Sequence, residues 1–303
     1  MDVKVSVIIP TYKRSVDIER ALKSVLDQTL DQFEVIIVDD NGIGTEEGQK
    51  TAAIVNKYKF DDRVIYIQHD VNKNGAFARN TGIKIARGEF ISFLDDDDIY
   101  RPERLEKMYQ YMCRLDQEWG ACYTGYVKHR KQGDQYSAET VSGNVYVQAL
   151  MRSLYIGSGS NMFFRTSVVK EVGFFNESFI RNQDMEYLIR VLKKYKMAYL
   201  DEVLLEMFYD IRQKRYSQEE WDKIEQDFYD SFAPYLQGLS QEEQNKVKCM
   251  YSVDELRHAI EYRNWKRTFS ILFSGRIPVR VLLKYIKYVA NRWKTNTCYG
   301  FMF

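Results

Sequence analysis

Four consecutive aspartates, Asp95, Asp96, Asp97 and Asp98, are the side chains in this 303-residue sequence whose type and spacing most directly suggest chemistry. Adjacent carboxylates repel, which raises their pKa values or calls for a cation. Ligands that are all oxygen favour Mg2+ or Mn2+, and a metal with open positions can bridge to phosphates. A solvated acidic turn before a helix would read the same way, because carboxylates complement the positive end of a helix. Asp98, close before a helix expected to begin at Pro102, fits that simpler role. Position separates the two readings: the run directly follows Phe-Ile-Ser-Phe-Leu, a strand-like segment.

The elements that must present these residues alternate strand and helix. Residues 3–9 are β-branched and apolar, and Pro10 is expected to end them. Ser15 is a plausible cap for a helix in which Ile18, Ala21, Leu22, Val25 and Leu26 recur at helical spacing. A second strand at 34–38 runs into the turn signal Asp39-Asp40-Asn41-Gly42. A helix at 46–58, a strand at 64–68, and a helix opened by Gly75 and closed by Gly88 come next, before the strand at 90–94. This order predicts parallel strands in a doubly wound α/β sheet, covered on both faces. Ligands of such sheets sit at the carboxyl ends of the strands. Three polar clusters fall at those ends: Thr11-Tyr12-Lys13-Arg14, Asp39-Asp40-Asn41, and the four aspartates. The topology gathers them on one edge.

Further along, a helix is expected from Pro102 to about Trp119, then a strand at 121–127 and a polar loop or hairpin at 128–142. A strand at 161–165, a brief helix capped by Thr166 and ended by Gly173, a helix at 184–195, and strands at 197–200 and 204–209 follow. After Ser217 the sequence becomes charged, aromatic and helical, which divides the chain into 1–217 and a helical C-terminal region, 218–303.

Several classes are excluded. No G-x-G-x-x-G follows the first strand and no Walker A loop is present, against dinucleotide and P-loop enzymes. The four cysteines stand alone without CxxC spacing, against a zinc knuckle or redox dithiol and in keeping with a reducing cytoplasm. No stretch approaches 18 consecutive apolar residues, and the N-terminus lacks a signal-peptide pattern.

The segments VSVIIPTYKR, EVIIVDDN, NKNGAFARNTGIKIARGEFISFLDDDD and IYRPERLEKM together resemble glycosyltransferase family 2, an inverting family with the GT-A fold. The resemblance runs from Val3 to about Ser217, with a nucleotide-sugar half at about 1–100 and an acceptor half at about 101–217. It implies that Pro10, Thr11, Tyr12 and Arg14 line the nucleotide pocket, with Tyr12 against the base. Of Asp39 and Asp40, it favours Asp40 as acceptor of the uracil imide hydrogen, and it puts Arg79 near the nucleotide. Asp97 is implied as metal ligand, supported by Asp95, and Asp96 as ribose contact. A divalent cation there would stabilise the leaving diphosphate. The acceptor hydroxyl needs a base, and Asp184 holds that position, with Gln183 where the family usually has Glu and Glu186 as the substitute in another register. The small, polar 157–161 run, with Ser160, could approach a sugar. A family histidine after the last strand is missing, and Arg212 or Arg215 could meet the diphosphate instead. His69, His129 and His258 match no family role and read as structural.

The net charge of +1 conceals an asymmetry. From Arg263 to the end there are nine basic residues and no Asp or Glu, so the preceding body is acidic. A helix opening at Pro278 has Arg280, Lys284, Lys287 and Lys294 on one stripe beside a broad apolar face. That pattern fits either an anionic membrane surface or packing on its own domain; nucleic acid is disfavoured, as no recognised module accompanies the charge. The expected function is therefore transfer of a hexose or N-acetylhexosamine, which the resemblance implies is UDP-linked, to a cell-surface glycan or lipid-linked acceptor, in the cytoplasm or at the inner face of its membrane. A nucleotidyltransferase would need a Gly-rich basic loop after the first strand, and a non-catalytic sugar-nucleotide binder is the remaining alternative.

Overall fold

The computed structural model describes residues 2–208 and 216–303. The chain forms two compact units, one of Met1–Asn144 with Ile156–Tyr209, the other of Val145–Tyr155 with Asp210–Phe303. In chain order the elements are β1 (Val5–Thr11), α1 (Ile18–Leu26), β2 (Phe33–Asp39), α2 (Glu46–Val55), β3 (Val64–Gln68), α3 (Gly75–Ile85) and β4 (Phe90–Phe93). There follow β5 (Ile99–Tyr100), α4 (Arg104–Cys113), β6 (Trp119–His129), β7 (Gln135–Ser137) and α5 (Tyr146–Leu150). After these come β8 (Phe163–Arg165), α6 (Thr166–Val172), α7 (Gln183–Leu192) and β9 (Lys196–Phe208). The second unit adds to α5 the helices α8 (Gln218–Leu236), α9 (Gln241–Glu261), α10 (Trp265–Phe273) and α11 (Val279–Thr295).

In the first unit the sheet runs β7-β6-β8-β4-β1-β2-β3. The expected parallel half is present: β1 pairs in parallel with β2 and β4, and β2 with β3. The other half is mixed. Strand β8 is antiparallel to both β4 and β6, while β9 lies parallel to β6. Strands β2 and β4 are buried at every position, the polar Glu34, Asp39 and Ser92 included.

Several local expectations are corrected. Pro10 lies inside β1, opposite Val38. Strand β4 reaches only as far as Ile8, so β1 is an edge beyond it and tolerates a residue without an N–H. Ser15 is not a cap; its hydroxyl donates to Glu47 at 2.9 Å, and the N-cap of α1 is Asp17. The helix after the aspartates starts at Arg104 with Glu103 as its cap, so Asp98 is too far away to serve it. The two expected strands at 197–200 and 204–209 are one strand, β9, which follows β6 through register shifts. Residues 145–155 group with the C-terminal helices, which a single cut near 217 does not capture.

Gly88 does not close α3, whose C-cap is Ala86. Its role is close approach. A Cβ there would stand 2.5 Å from the Ser6 nitrogen and 2.8 Å from the Phe90 oxygen, both backbone atoms between paired strands. Gly88→Ala is therefore expected to destabilise the first unit by about 3 kcal/mol, read as a lower urea midpoint at unchanged m-value.

Candidate active site

The carboxyl ends of β1, β2 and β4 end side by side, and their polar clusters meet at that edge. Around Asp96 and Asp97 the chain folds tightly. The Tyr12 N–H donates to the Asp96 carboxylate at 3.3 Å, and the Arg14 guanidinium lies 2.6 Å from Asp97 and 3.6 Å from Asp96. The loop is held open by Lys13, at φ 57°, whose N–H donates to the Asn41 side chain at 2.6 Å. Arg20 stacks on Phe208 and donates to the Asp97 carbonyl at 2.8 Å. The Tyr12 ring is 42% exposed and so available to another ring, whereas Thr11 is buried and Pro10 half-buried.

Around Asp95 a second group forms. Arg79 donates to the Asp95 carboxylate at 2.7 Å and to the Gln183 side-chain oxygen at 3.2 Å. It thereby ties the end of β4 to the start of α7. Asp184 follows on the first turn of that helix, with its Oδ1 accepting the Met185 N–H at 2.9 Å. A Cβ at Gly159 would lie 3.6 Å from Arg79 and 3.8 Å from Asp184, so these three positions are neighbours. They line one open pocket of about 290 Å³ with Asp95, Ser158 and Gln183. Glu186 is buried in an ion pair with Arg190 at 2.7 Å, which leaves Asp184 as the α7 carboxylate facing the pocket.

Helix α3 sets this geometry. Asn74, at φ 93°, caps it by accepting the Phe77 N–H. One residue beyond Arg79, the buried Asn80 accepts the Phe175 N–H at 2.8 Å and donates to the Phe175 carbonyl at 2.9 Å. Asn80 thus fixes the segment that leads into α7.

Asp98 is the residue that sequence reasoning most undervalued. It is buried and accepts the Ser160 hydroxyl at 2.6 Å, the Ser158 hydroxyl at 3.2 Å and the Phe208 N–H at 3.2 Å. The Ser160 hydroxyl oxygen also accepts the Asp95 N–H at 2.9 Å. Ser160 is fully buried, so its contribution is to position the aspartate loop and it cannot touch a sugar as it stands. Behind it the fully buried Arg104 donates to Thr124 at 2.7 Å and to Asn161 at 3.1 Å.

Asp39 and Asp40 also differ from expectation. Asp39 accepts from the Asn41 N–H, Tyr66 and Gln68. Asp40 accepts from His69 and the Lys73 N–H on one oxygen and from Asn72 and the Asn74 N–H on the other. A carboxylate has about four acceptor sites. Those of Asp40 are therefore filled by the protein, and as it stands it offers none to a uracil imide. Asp40 shapes the turn that precedes α3, with His69 bridging it to Thr81. Arg212 and Arg215 lie outside the described residues.

Burial and mutual repulsion raise three carboxyls of this loop. Burial pushes the Asp96 carboxyl up to about 8, with repulsion from Asp97 and Asp95 adding to it and Arg14 opposing. Burial and the neighbouring Asp95 push Asp97 up to about 6. Asp98 is raised well above the carboxylate range by burial, then by Asp95 and Asp97. Among the described residues no group of three or more His, Cys, Asp or Glu could hold a metal unaided. Two carboxylates completed by substrate phosphates are nevertheless an ordinary Mg2+ arrangement.

Residues 6–173, more than half of the chain, match the model of glycosyl transferase family 2. The chain belongs to this family. An uncharacterized glycosyltransferase of Rickettsia conorii is 37% identical over 152 residues, 49% of this chain and 24% of that protein. The chain spans the same small share, 24%, of a Rickettsia felis relative. A putative teichuronic acid biosynthesis glycosyltransferase of Bacillus subtilis, TuaG, is 36% identical over 124 residues, 40% of this chain and 46% of the relative. Among solved structures, Staphylococcus aureus TarS 1–349 in complex with UDP-GlcNAc superposes with a TM-score of 0.67 at 20% identity, covering 92% of this chain and 83% of that one. At this identity the likeness establishes the glycosyltransferase fold.

Proposed function

We propose that this chain transfers a sugar from a nucleoside diphosphate donor to an acceptor hydroxyl by single displacement with inversion. The observation that carries the reading is the shared pocket: Asp184, Arg79 and Asp95 line one cavity, beside the aspartate loop that Tyr12 and Arg14 clasp. Tyr12 would cover the base and Asp96 the ribose. Asp184 would take the proton of the acceptor hydroxyl as that oxygen bonds to the anomeric carbon, and the diphosphate departs with the electron pair. Among the described residues the other carboxylate lining that pocket, Asp95, is held by Arg79, so Asp184 is left as the single base, which favours inversion. A UDP-sugar is the favoured donor, in keeping with the UDP-GlcNAc complex of TarS, and a surface glycan or lipid-linked acceptor is in keeping with the name given to TuaG.

Asp97 and Asp95 would hold a divalent cation, Mg2+ or Mn2+, through hard oxygen atoms. When bound, it would neutralise the charge that develops on the diphosphate. Arg14 and Arg79 now balance these same two aspartates. Their positions near the carboxylates leave them suited to donate to phosphate oxygens once another cation has taken over that charge.

Thermal-shift titration tests the reading. UDP-sugars should raise the melting temperature in the presence of Mn2+, and the rise should disappear with EDTA and in Asp97→Asn. If no nucleotide sugar gives metal-dependent stabilisation of the wild type, the proposed donor and cation are both wrong.

A further inference from the structure

We propose that α11 of the second unit forms a docking surface for an anionic lipid bilayer, beyond the donor and acceptor chemistry above. Helix α11 shows its two faces clearly. The inner face is made by Tyr285, Tyr288 and Arg292: Tyr288 donates to the Tyr299 carbonyl at 2.6 Å, Tyr285 packs edge-on against Phe301, and Arg292 lies over Tyr155. The helix is thus anchored, yet no residue of it is buried.

The outer face is apolar and basic. Val279, Leu283, Ile286, Ala290 and Trp293 recur at spacings of 4, 3, 4 and 3 and are all exposed, Trp293 to 88%. Beside this stripe run Arg280, Lys284, Lys287 and Lys294, which make no ion pair among the described residues. Helix α10 carries an apolar stripe of its own at i, i+4, i+8: Trp265, Phe269 and Phe273, the last 85% exposed. No exposed large hydrophobic side chain occurs between Phe208 and Ile260 among the described residues, so the apolar exposure of this unit is concentrated in its last two long helices. Concentrated apolar exposure marks an interaction surface.

Charge selects the occupant. Asp222 and Glu255 of the unit already pair with Arg267 and Arg276. From Arg263 onward the chain itself has no Asp or Glu. A second copy meeting this face symmetrically, the same face on both chains, would set lysine against lysine. Nucleic acid would satisfy the lysines but leave Leu283, Ile286 and Trp293 without a partner. A bilayer with anionic headgroups satisfies both halves, with the aromatic and aliphatic side chains at the acyl boundary and the basic row among the phosphates.

The test is co-sedimentation of the full chain with vesicles of phosphatidylcholine alone and of phosphatidylcholine with phosphatidylglycerol. Binding is expected to the mixed vesicles, to weaken with added salt, and to fall at least about tenfold in the double variant K284E/K287E. The variant Trp293→Ser should weaken binding while leaving the salt dependence in place. All three positions are exposed, and unchanged melting temperatures would show that the fold survives. No binding to the mixed vesicles, or equal binding by the variants, overturns the proposal. So does concentration-dependent dimerisation without lipid that the same variants abolish, which would assign the face to a second copy. Tighter binding to a DNA duplex than to the vesicles, lost in K284E/K287E but not in Trp293→Ser, would equally overturn it.

Discussion

Asp184→Asn is expected to lower the rate of sugar transfer by about 10²- to 10⁴-fold, roughly 3 to 5 kcal/mol of barrier, while the Kd for the nucleotide donor stays unchanged. The substitution is nearly isosteric. Its Oδ1 can still accept the Met185 N–H that Asp184 accepts at 2.9 Å, so the first turn of α7 should keep its shape. What is lost is the ability to take a proton. Gln183 cannot replace it, since an amide is no base and its oxygen is already held by Arg79. Glu186 cannot replace it either, because it is buried with Arg190. Single-turnover kinetics with donor calorimetry would separate chemistry from binding. Undiminished transfer by the Asn variant would remove Asp184 from the mechanism and leave the pocket without a base.

Arg152→Leu is expected to cost the second unit about 3 to 5 kcal/mol of stability. Arg152 is nearly buried, paired with Glu225 and 3.8 Å from Asp254, both of which are also buried. Removing the guanidinium leaves two carboxylates of like charge in a poorly solvated place. Urea unfolding followed by fluorescence would measure the loss, and a midpoint matching wild type would show the pair to be dispensable. The pH dependence carries its own sign. Burial pushes His258, beside this cluster, down to about 4. A depressed histidine is neutral in the fold and takes up its proton earlier in the unfolded chain. The stability it contributes is therefore complete above its ordinary value of about 6.5 and is lost as pH falls from there towards 4. Glu225 acts in the same direction. Burial would raise it, but Arg152 and Tyr229 hold it below the usual range, so its contribution is lost in more acidic solution. His258 and Glu225 thus make the second unit lose stability on mild acidification, while Asp254, which burial pushes up, opposes them. His258→Phe should remove the part of the decline that begins near 6.5.

Much of the first unit was legible in the sequence. Apolar runs bounded by turn residues located β1, β2, β3 and β4 to within a residue or two, because single polar residues such as Ser6, Glu34 and Ser92 do not break a run of β-branched and aromatic side chains. Their order with the intervening helices implied parallel pairing and hence one edge for the polar clusters. Legibility declined where spacing no longer reports environment. Nothing near Asp98 in the chain signals that it is buried against Ser158, Ser160 and Phe208, the last 110 positions away. Nothing near Arg79 signals Gln183, 104 positions on. Strand β8 was expected at 161–165 and is found at Phe163–Arg165, but nothing local signals that it pairs antiparallel with both of its neighbours.

The sequence by itself determined the chemistry that is present: a carboxylate run at a strand end, an aromatic and an arginine at the neighbouring end, two acidic residues at a later helix start, and a basic tail without acids. These follow from local pattern, since strand ends and helix starts are short-range properties of the chain. Only the tertiary structure decided how the four aspartates divide their work. Asp95 faces the pocket with Arg79, Asp96 and Asp97 face Tyr12 and Arg14, and Asp98 turns inward to hold the loop. The reason is physical. Four like charges cannot share one direction, and which of them finds a guanidinium and which a pair of hydroxyls depends on residues that only folding brings near.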